Sequence, residues 1–433
     1  MDIPRKKASG QPVVLTALGS LGDVYPVLSI AKVLDRFGIQ TRLALTPEDC
    51  EVARRWGLLA TPVGPSQATV MERLGRSRDD LTAAVLRDAS KPVNDVLIPM
   101  LSDLVAELEP LTDGAGCVAG PTFALHGALA AEKAGLPFVP LILQPMMMFS
   151  SLDPPRARRF QAMAPHPTNA ITRTWNRAVM GLAQGLLRRR HLGPLNTIRT
   201  ELGLSPHHGT PLLDPGPAEV PLRLGLWSER FSPKPADAPA GLEIVGFPPP
   251  PEGDLPYEVQ TWLDAGPAPL VVTLGSVAQA LGGRAFWSEA IALARRMGLR
   301  AVLLHGQTPV PEGDDILALP YAPHGPLFPQ AAAIVHHGGI GTTAEAIRSG
   351  RPQLVVPVGG DQPDNAARLK RLGLAVTLPI TRFRAAHAHK ILTGLLDRFD
   401  YAAAATVGAQ IAEEEGATQA AARLKQIAMQ GQF

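Results

Sequence analysis

Twice in this chain a continuous apolar run ends in Leu-Gly-Ser and gives way to a helical pattern. Pro12 to Ser20 reads P-V-V-L-T-A-L-G-S, and Pro269 to Ser276 reads P-L-V-V-T-L-G-S. An apolar run without alternation reads as a strand buried on both faces, which calls for a parallel sheet covered by helices on both sides. The same succession predicts further strands at 41–45, 117–119 and 138–142, then at 301–304, 333–336, 353–356 and 375–378. Helical spacing fills the gaps, beginning with 24–37, and alanine-rich helix from 401 to about 429 closes the chain. Two similar α/β domains in tandem are therefore expected, with ligands in a cleft at the carboxyl ends of their strands.

Between the two halves the texture changes. Pro211, Pro215, Pro217, Pro221, Pro233, Pro235 and Pro239 interrupt regular structure, and Pro248 to Pro251 form an unbroken run. This stretch reads as a semi-rigid connection. The expected division is 1–220, a connection over 221–268, and 269–433, with the last helix packing back on the first domain. Proline and glycine number 43 and 41 of 433 residues, well above ordinary usage, so shaped loops are many.

Charge excludes some functions. With 41 basic and 39 acidic side chains and a net charge of +2, the chain lacks the basic excess of a nucleic-acid binder. Apolar residues at 45% and charged residues at 18% exclude a disordered chain. Cys50 and Cys117 are expected as buried free thiols in a reducing cytoplasm. Neither a signal peptide nor a membrane span is expected.

The densest chemistry lies at His336-His337-Gly338-Gly339-Ile340-Gly341-Thr342-Thr343-Ala344-Glu345. A strand running into a glycine turn and a helix start offers free N–H groups and a positive dipole end to a phosphate. Thr342 and Thr343 add hydroxyls, His337 a hydrogen bond or a charge, and Glu345 an acceptor for two vicinal hydroxyls such as those of a ribose. A plain strand-to-helix turn has the same glycines. Further on, Gly359-Gly360-Asp361-Gln362 pairs a carboxylate with an amide suited to sugar hydroxyls, and Asn365 extends the row. An N-cap by Asp361 accounts for the same residues without a ligand.

The ordered run from Tyr321 to about Val376 resembles the nucleotide-sugar signature of the family 1 glycosyltransferases, in spacing from His337 to Glu345 and on through Asp361-Gln362-Pro363-Asp364-Asn365-Ala366-Ala367. Gly350-Arg351-Pro352-Gln353 resembles the family's Gly-x-Pro. Gly19-Ser20-Leu21-Gly22-Asp23-Val24-Tyr25-Pro26 resembles the Gly-Ser-x-Gly-Asp-x-x-Pro opening of the bacterial members, among them rhamnolipid, sterol and macrolide transferases. The resemblance implies the GT-B architecture, two Rossmann-like domains whose parallel sheets face each other across a cleft. It also implies sugar transfer from a nucleotide sugar, by direct displacement with inversion. His337 would meet the diphosphate with backbone donors from Gly339, Gly341 and Thr342, and Ser276 would flank it. Glu345 would hold the ribose, and Asp361 with Gln362 the donor hexose. Tyr321 stands where plant members have tryptophan, Ile340 and Gly341 where they have tryptophan and asparagine, and Pro323-His324 resembles the bacterial variant near the base. In the bacterial members the aspartate corresponding to Asp23 is the proposed base, with His126 a possible second cleft group.

No Asp-x-Asp and no histidine-cysteine cluster is present, so no metal and no further cofactor are expected. A uridine donor is favoured over a thymidine one, because Glu345 gains most from a ribose with both hydroxyls. Gln144, Met146, Met147 and Phe149 are the acceptor-binding candidates, three methionines at 146–148 being adaptable to an irregular apolar ligand or to a packed core. From Ser151 to Thr200 there are nine arginines and one acid, Asp153, interleaved with apolar residues. This reads as basic amphipathic helix able to rest on an anionic membrane, or as a solvated face. The expected acceptor is hydrophobic or a lipid, reached peripherally from the cytoplasm. A dehydrogenase shares the architecture but needs Gly-x-Gly-x-x-Gly, which Gly19-Ser20-Leu21-Gly22 does not supply. A nucleotide-sugar 2-epimerase and a non-catalytic helper of the same fold remain as alternatives.

Overall fold

The computed structural model describes residues 10–75, 77–88, 90–156, 161–214, 220, 222–250, 253–311 and 313–430, with backbone alone at 78, 79, 276–281 and 430. In the first half the strands are β1 (Val13–Thr16), β2 (Thr41–Leu45), β3 (Ala60–Pro62), β4 (Cys117–Pro121), β5 (Phe138–Ile142), β6 (Arg223–Gly225) and β7 (Leu242–Ile244). They form one sheet in the order β3-β2-β1-β4-β5-β6-β7, parallel throughout. The second half holds β8 (Leu270–Thr273), β9 (Ala301–Leu304), β10 (Ile316–Leu319), β11 (Ala333–His336), β12 (Gln353–Val355) and β13 (Ala375–Thr377). Its order is β10-β9-β8-β11-β12-β13, again parallel. Each sheet reverses its strand order beside its first strand, between β1 and β4 and between β8 and β11. Crevices open at such switch points.

The apolar runs dictate this layering. Val13 and Leu15 pack into one core cluster and Val14 into another; Leu270 and Val272 likewise oppose Val271. Both faces of the central strands are thus dry. The helices that matter for the site are α1 (Leu21–Arg36), α2 (Arg78–Asp88), α3 (Leu125–Lys133), α4 (Ala170–Glu201), α5 (Gly275–Arg296), α6 (Ile340–Arg348), α7 (Gln362–Arg371), α8 (Tyr401–Ala412) and α9 (Gly416–Gln430).

The stretch expected as a connection, 221–268, contains β6 and β7, so the first sheet continues past residue 220. Arg223 and Glu243 interrupt the apolar residues of these two strands, so they leave almost no signal in the sequence. The chain crosses between the halves twice, near Gly246 and near Gly416, and α9 packs on α1 of the first half. The two crossings touch: a Cβ on Gly416 would collide with the Gly246 carbonyl. Ser228 Oγ donates to Glu414 Oε1 beside them (2.6 Å). Trp227, Phe231 and Phe247 fill this junction, making one apolar cluster continuous across both halves. Among the described residues no helix is long and apolar enough to cross a membrane.

Candidate active site

Each half places a carboxylate where its first glycine turn or its sugar-type loop opens. In the first half, β1 ends at Thr16 and the chain turns through Gly19 into α1. Ser20 is the N-cap, with Gly22 N–H donating to its Oγ (3.2 Å). Asp23, at the third helical position, completes a capping box by accepting from Ser20 N–H (2.8 Å) and Ser20 Oγ (3.0 Å), both at Oδ2. Gly19 has φ 139°, and a Cβ there would collide with Asp23 Oδ2. Only glycine lets the turn close over that oxygen. Burial pushes the Asp23 carboxyl up to about 6, against the bonds from Ser20. Asp23 is therefore both a capping group and a carboxylate with the proton affinity of a general base working near neutrality.

His126 does not join it. The ring has no exposure and its Nε2 meets Thr16 Oγ1 at 2.7 Å, while burial lowers it to about 4. It sits at the start of α3 as a neutral interior group, so the expectation of a second cleft residue is corrected. The sequence signal was its position after a strand end, which does not distinguish the cleft from the layer beneath it.

In the second half, β11 delivers His337 to the turn before α6. Gly339 is the N-cap and offers no side chain, so the first-turn amides at Ile340, Gly341 and Thr342 are free of intrahelical partners. Gly341 is exposed with open space about its Cβ position, whereas Cβ atoms on Gly275 and Gly339 would both collide with the His337 ring. Two glycines thus frame one imidazole. His337 is buried, its Nδ1 has no partner, and desolvation with neighbouring His336 and His324 lowers it to about 3. It enters as a neutral hydrogen-bonding ring rather than a cation. Thr342 is buried at the same helix start. The Ser276 side chain lies outside the described residues.

Glu345 is buried one turn into α6 and pairs with Arg348, whose Nη2 donates to the Phe247 carbonyl (2.7 Å). Arg348 carries no sequence signal beyond its helical spacing, and it ties the expected ribose ligand to the interdomain crossing. Tyr321 is half exposed after β10. His324 stacks on Phe328 (centroids 4.5 Å apart) with its ring centroid 6.4 Å from that of Tyr321, and burial lowers it to about 4.

Asp361 occupies the N-cap position of α7 yet makes no capping bond. Its Oδ2 instead accepts from Asn365 Nδ2 (2.7 Å), which also donates to the Gly338 carbonyl (2.9 Å). Asn365 is fully buried, so it orients Asp361 instead of extending a row of ligands. Desolvation raises Asp361 to about 7, and the Asp23 charge contributes to that rise. The carboxylates of the two halves are therefore within electrostatic reach of each other. Gln362 spends its Oε1 on the Val358 and Gly359 amides (2.7 and 3.2 Å), leaving its amide nitrogen for other partners.

Gly359 and Gly360 are explained by a contact with the first half. Gly360 N–H donates to the Leu86 carbonyl of α2 (3.0 Å), and a Cβ on Gly359 would collide with the same carbonyl. They let the first half close on the loop beside Asp361. A second tie is Arg368 of α7, almost wholly buried, which meets Asp364 (2.7 Å), Asp153 (2.5 Å) and Ser232 Oγ (2.6 Å).

Of the acceptor candidates, Met147 and Phe149 line a cavity of about 980 Å³ with Phe138, Ile142 and Gln184 of α4. Gln144 and Met146 are not among its lining residues. Among the described residues no cluster of three or more His, Cys, Asp or Glu side chains is arranged to hold a metal ion.

A family profile described as Erythromycin biosynthesis protein CIII-like, C-terminal domain, matches residues 304–427. The chain is 30% identical over 376 residues to Glycosyltransferase GtfE of Amycolatopsis orientalis, covering 84% of this chain and 85% of that one. It is 28% identical over 380 residues to the Vancomycin aglycone glucosyltransferase of the same organism, with 84% and 85% covered. The solved structure of glycosyltransferase VinC in complex with dTDP matches with TM-score 0.68 and 21% identity over 96% of this chain and all of that one. With two parallel sheets of the same strand order, the aspartate and histidine turns at their carboxyl ends, and a relative this similar along most of its length, the chain belongs to the family 1 glycosyltransferases of bacterial type, enzymes of the GT-B fold.

Proposed function

We propose that the protein transfers a hexose from a nucleoside diphosphate sugar to a hydroxyl of a hydrophobic or lipid acceptor, with inversion, without a metal, and with Asp23 as general base. The observation that carries this reading is the pair of aspartates at the glycine turns. Asp23 is held by Ser20 after β1 in one half, and Asp361 by Asn365, which also bonds the Gly338 carbonyl, in the other, with burial raising the proton affinity of both. The acceptor oxygen attacks the anomeric carbon as its proton passes to Asp23, and the bond from that carbon to the diphosphate oxygen breaks. A single displacement of this kind inverts the anomeric centre. The leaving diphosphate gains charge at the amino end of α6, where free amides, Thr342 and the His337 ring accept it. Asp361 and Gln362 hold the sugar, and the Asn365 amide keeps the Asp361 carboxylate aimed.

A uridine donor remains favoured through Glu345, and a thymidine donor is the second reading, supported by the dTDP in the VinC structure. Met147, Met148 and Phe149 give the cavity an adaptable apolar wall that suits an apolar portion of the acceptor, and Glu132, Arg223 and Asp237 on the same lining suit its polar groups. Work at the cytoplasmic face of a membrane, with peripheral contact through residues 151–200, suits such an acceptor.

Incubation with a panel of uridine and thymidine diphosphate sugars plus a lipid extract, followed by mass spectrometry, tests the reading. A glycosylated lipid-soluble product of inverted configuration by NMR, formed equally in EDTA, is expected. Release of free sugar or an epimerised nucleotide sugar alone contradicts it.

A further inference from the structure

Beneath the turn that opens α6 lies a second histidine that the chemistry above leaves unused. His336 is the last residue of β11, has no solvent exposure, and follows three apolar residues of the same strand. An imidazole in such a place costs stability unless its ring nitrogens find partners. Both do. Its Nδ1 accepts from Gly338 N–H (3.2 Å), and its Nε2 lies 3.0 Å from Gln353 Oε1 of β12.

The backbone settles the tautomer. A peptide N–H only donates, so Nδ1 is bare and Nε2 carries the proton. Nε2–H needs an acceptor, which fixes the Gln353 amide with its oxygen toward the ring. Gln353 is itself fully buried, and its Nε2 has no hydrogen-bond partner. That orphaned nitrogen costs stability, and the bond to His336 is what the amide gives in return. Burial lowers His336 to about 4, so the ring stays neutral near pH 7.

The line continues beyond Gly338. That residue has φ 89°, and a Cβ on it would collide with Val355. Its N–H is held by His336 and its carbonyl by Asn365 Nδ2 (2.9 Å), the amide that also donates to Asp361 Oδ2 (2.7 Å). One glycine, gripped at both ends, thus joins the turn before α6 to the carboxylate at the start of α7.

We propose that His336 and Gln353 are positioning residues for the donor, gripping Gly338 so that the α6 amides and the Asp361 carboxylate stand at a fixed spacing on the two sides of the bond that breaks. This rests on the reading that α6 receives the diphosphate and Asp361 the sugar. Neither side chain has any exposure through which to touch the donor itself. The spacing matters because a small misplacement of the reacting groups costs rate.

The test is calorimetry of the full chain with UDP and with dTDP, without acceptor, for the parent, His336→Leu, Gln353→Leu and His336→Asn. Both leucine variants are expected to bind the preferred diphosphate about tenfold more weakly. His336→Asn, whose Oδ1 replaces Nδ1 as acceptor for the Gly338 N–H, should recover to within about threefold of the parent. In the transfer assay the leucine variants should lose about tenfold or more in kcat. Asp361→Asn should add less than its full effect on top of His336→Leu, because the two act along one line. Losses that multiply in full overturn the inference. So does a His336→Leu protein that thermal melts show to be weak only through its unfolded fraction, beside a Gln353→Leu protein that matches the parent. A parent that binds neither diphosphate overturns the donor reading and the inference together; a binding parent whose leucine variants bind alike overturns the inference alone.

Discussion

At the scale of single residues, the two cleft carboxylates are defined by what they lack. Asp361 sits where a capping group belongs and does not cap, and Asp23 caps with one oxygen only. Both bind a proton more tightly than an ordinary aspartate, at about 6 and about 7 against 3.8. For activity, kcat/KM should rise with pH on a limb near 6 as Asp23 ionises, read from a pH–rate profile. For stability the sign runs the other way. A carboxyl whose folded value is raised contributes stability that is whole below the ordinary value and is lost as pH rises through 6 to 7. Asp361→Asn should therefore be more stable than the parent at pH 8 by on the order of 1 kcal/mol, the shift being discounted for partial exposure, and about equal to it near pH 4. Thermal melts at the two pH values read the difference.

At the scale of elements, the amino end of α6 depends on glycines whose reasons differ. Gly339→Ala places a Cβ against the His337 ring; donor binding by calorimetry should weaken at least about tenfold, the loss of one well-placed donor, with the fold retained. In α4, Gly181 has open space for a Cβ. Gly181→Ala should raise unfolding stability by about 0.5–1 kcal/mol through the lower entropy of the unfolded chain, read by denaturant titration. The elements also divide by how legible they were. Strands of four or five residues, all of them buried, such as β1, β5 and β8, stand out in sequence because nothing charged interrupts them. The short strands β3, β6 and β7 do not, since Ala60-Thr61-Pro62, Arg223-Leu224-Gly225 and Leu242-Glu243-Ile244 hold no unbroken apolar run, whereas the equally short β12 is announced by Leu354-Val355-Val356. The same limit explains His126: strand-end position signals a loop at the cleft, and only packing against Thr16 reveals that the ring points into the layer below. Glu345 was legible as an acid one turn into a helix, but the hold of Arg348 on it was not, because the link from Arg348 to Phe247 joins residues 101 apart in sequence.

At the scale of the whole molecule, the halves meet through a small number of directional ties as well as an apolar junction. Arg368 bridges Asp153 of the first half to Asp364 of its own helix, and Arg156 N–H donates to Asp364 (2.9 Å). These hold α7, and with it Asp361, against the first half. Asp153→Ala leaves the buried guanidinium with one carboxylate fewer, at a cost of about 2 kcal/mol. It should open the cleft, seen as a larger radius by small-angle scattering and a higher KM for acceptor. Closure matters because the account places the base in one half and the sugar in the other.

The measurement that tests that account most directly is single-turnover transfer by Asp23→Asn beside its donor affinity. The prediction is transfer lowered by about 10²–10⁴-fold, donor affinity unchanged, and the pH limb near 6 abolished. An Asp23→Asn protein that transfers sugar at the parent's rate, with the same pH limb, would contradict the account.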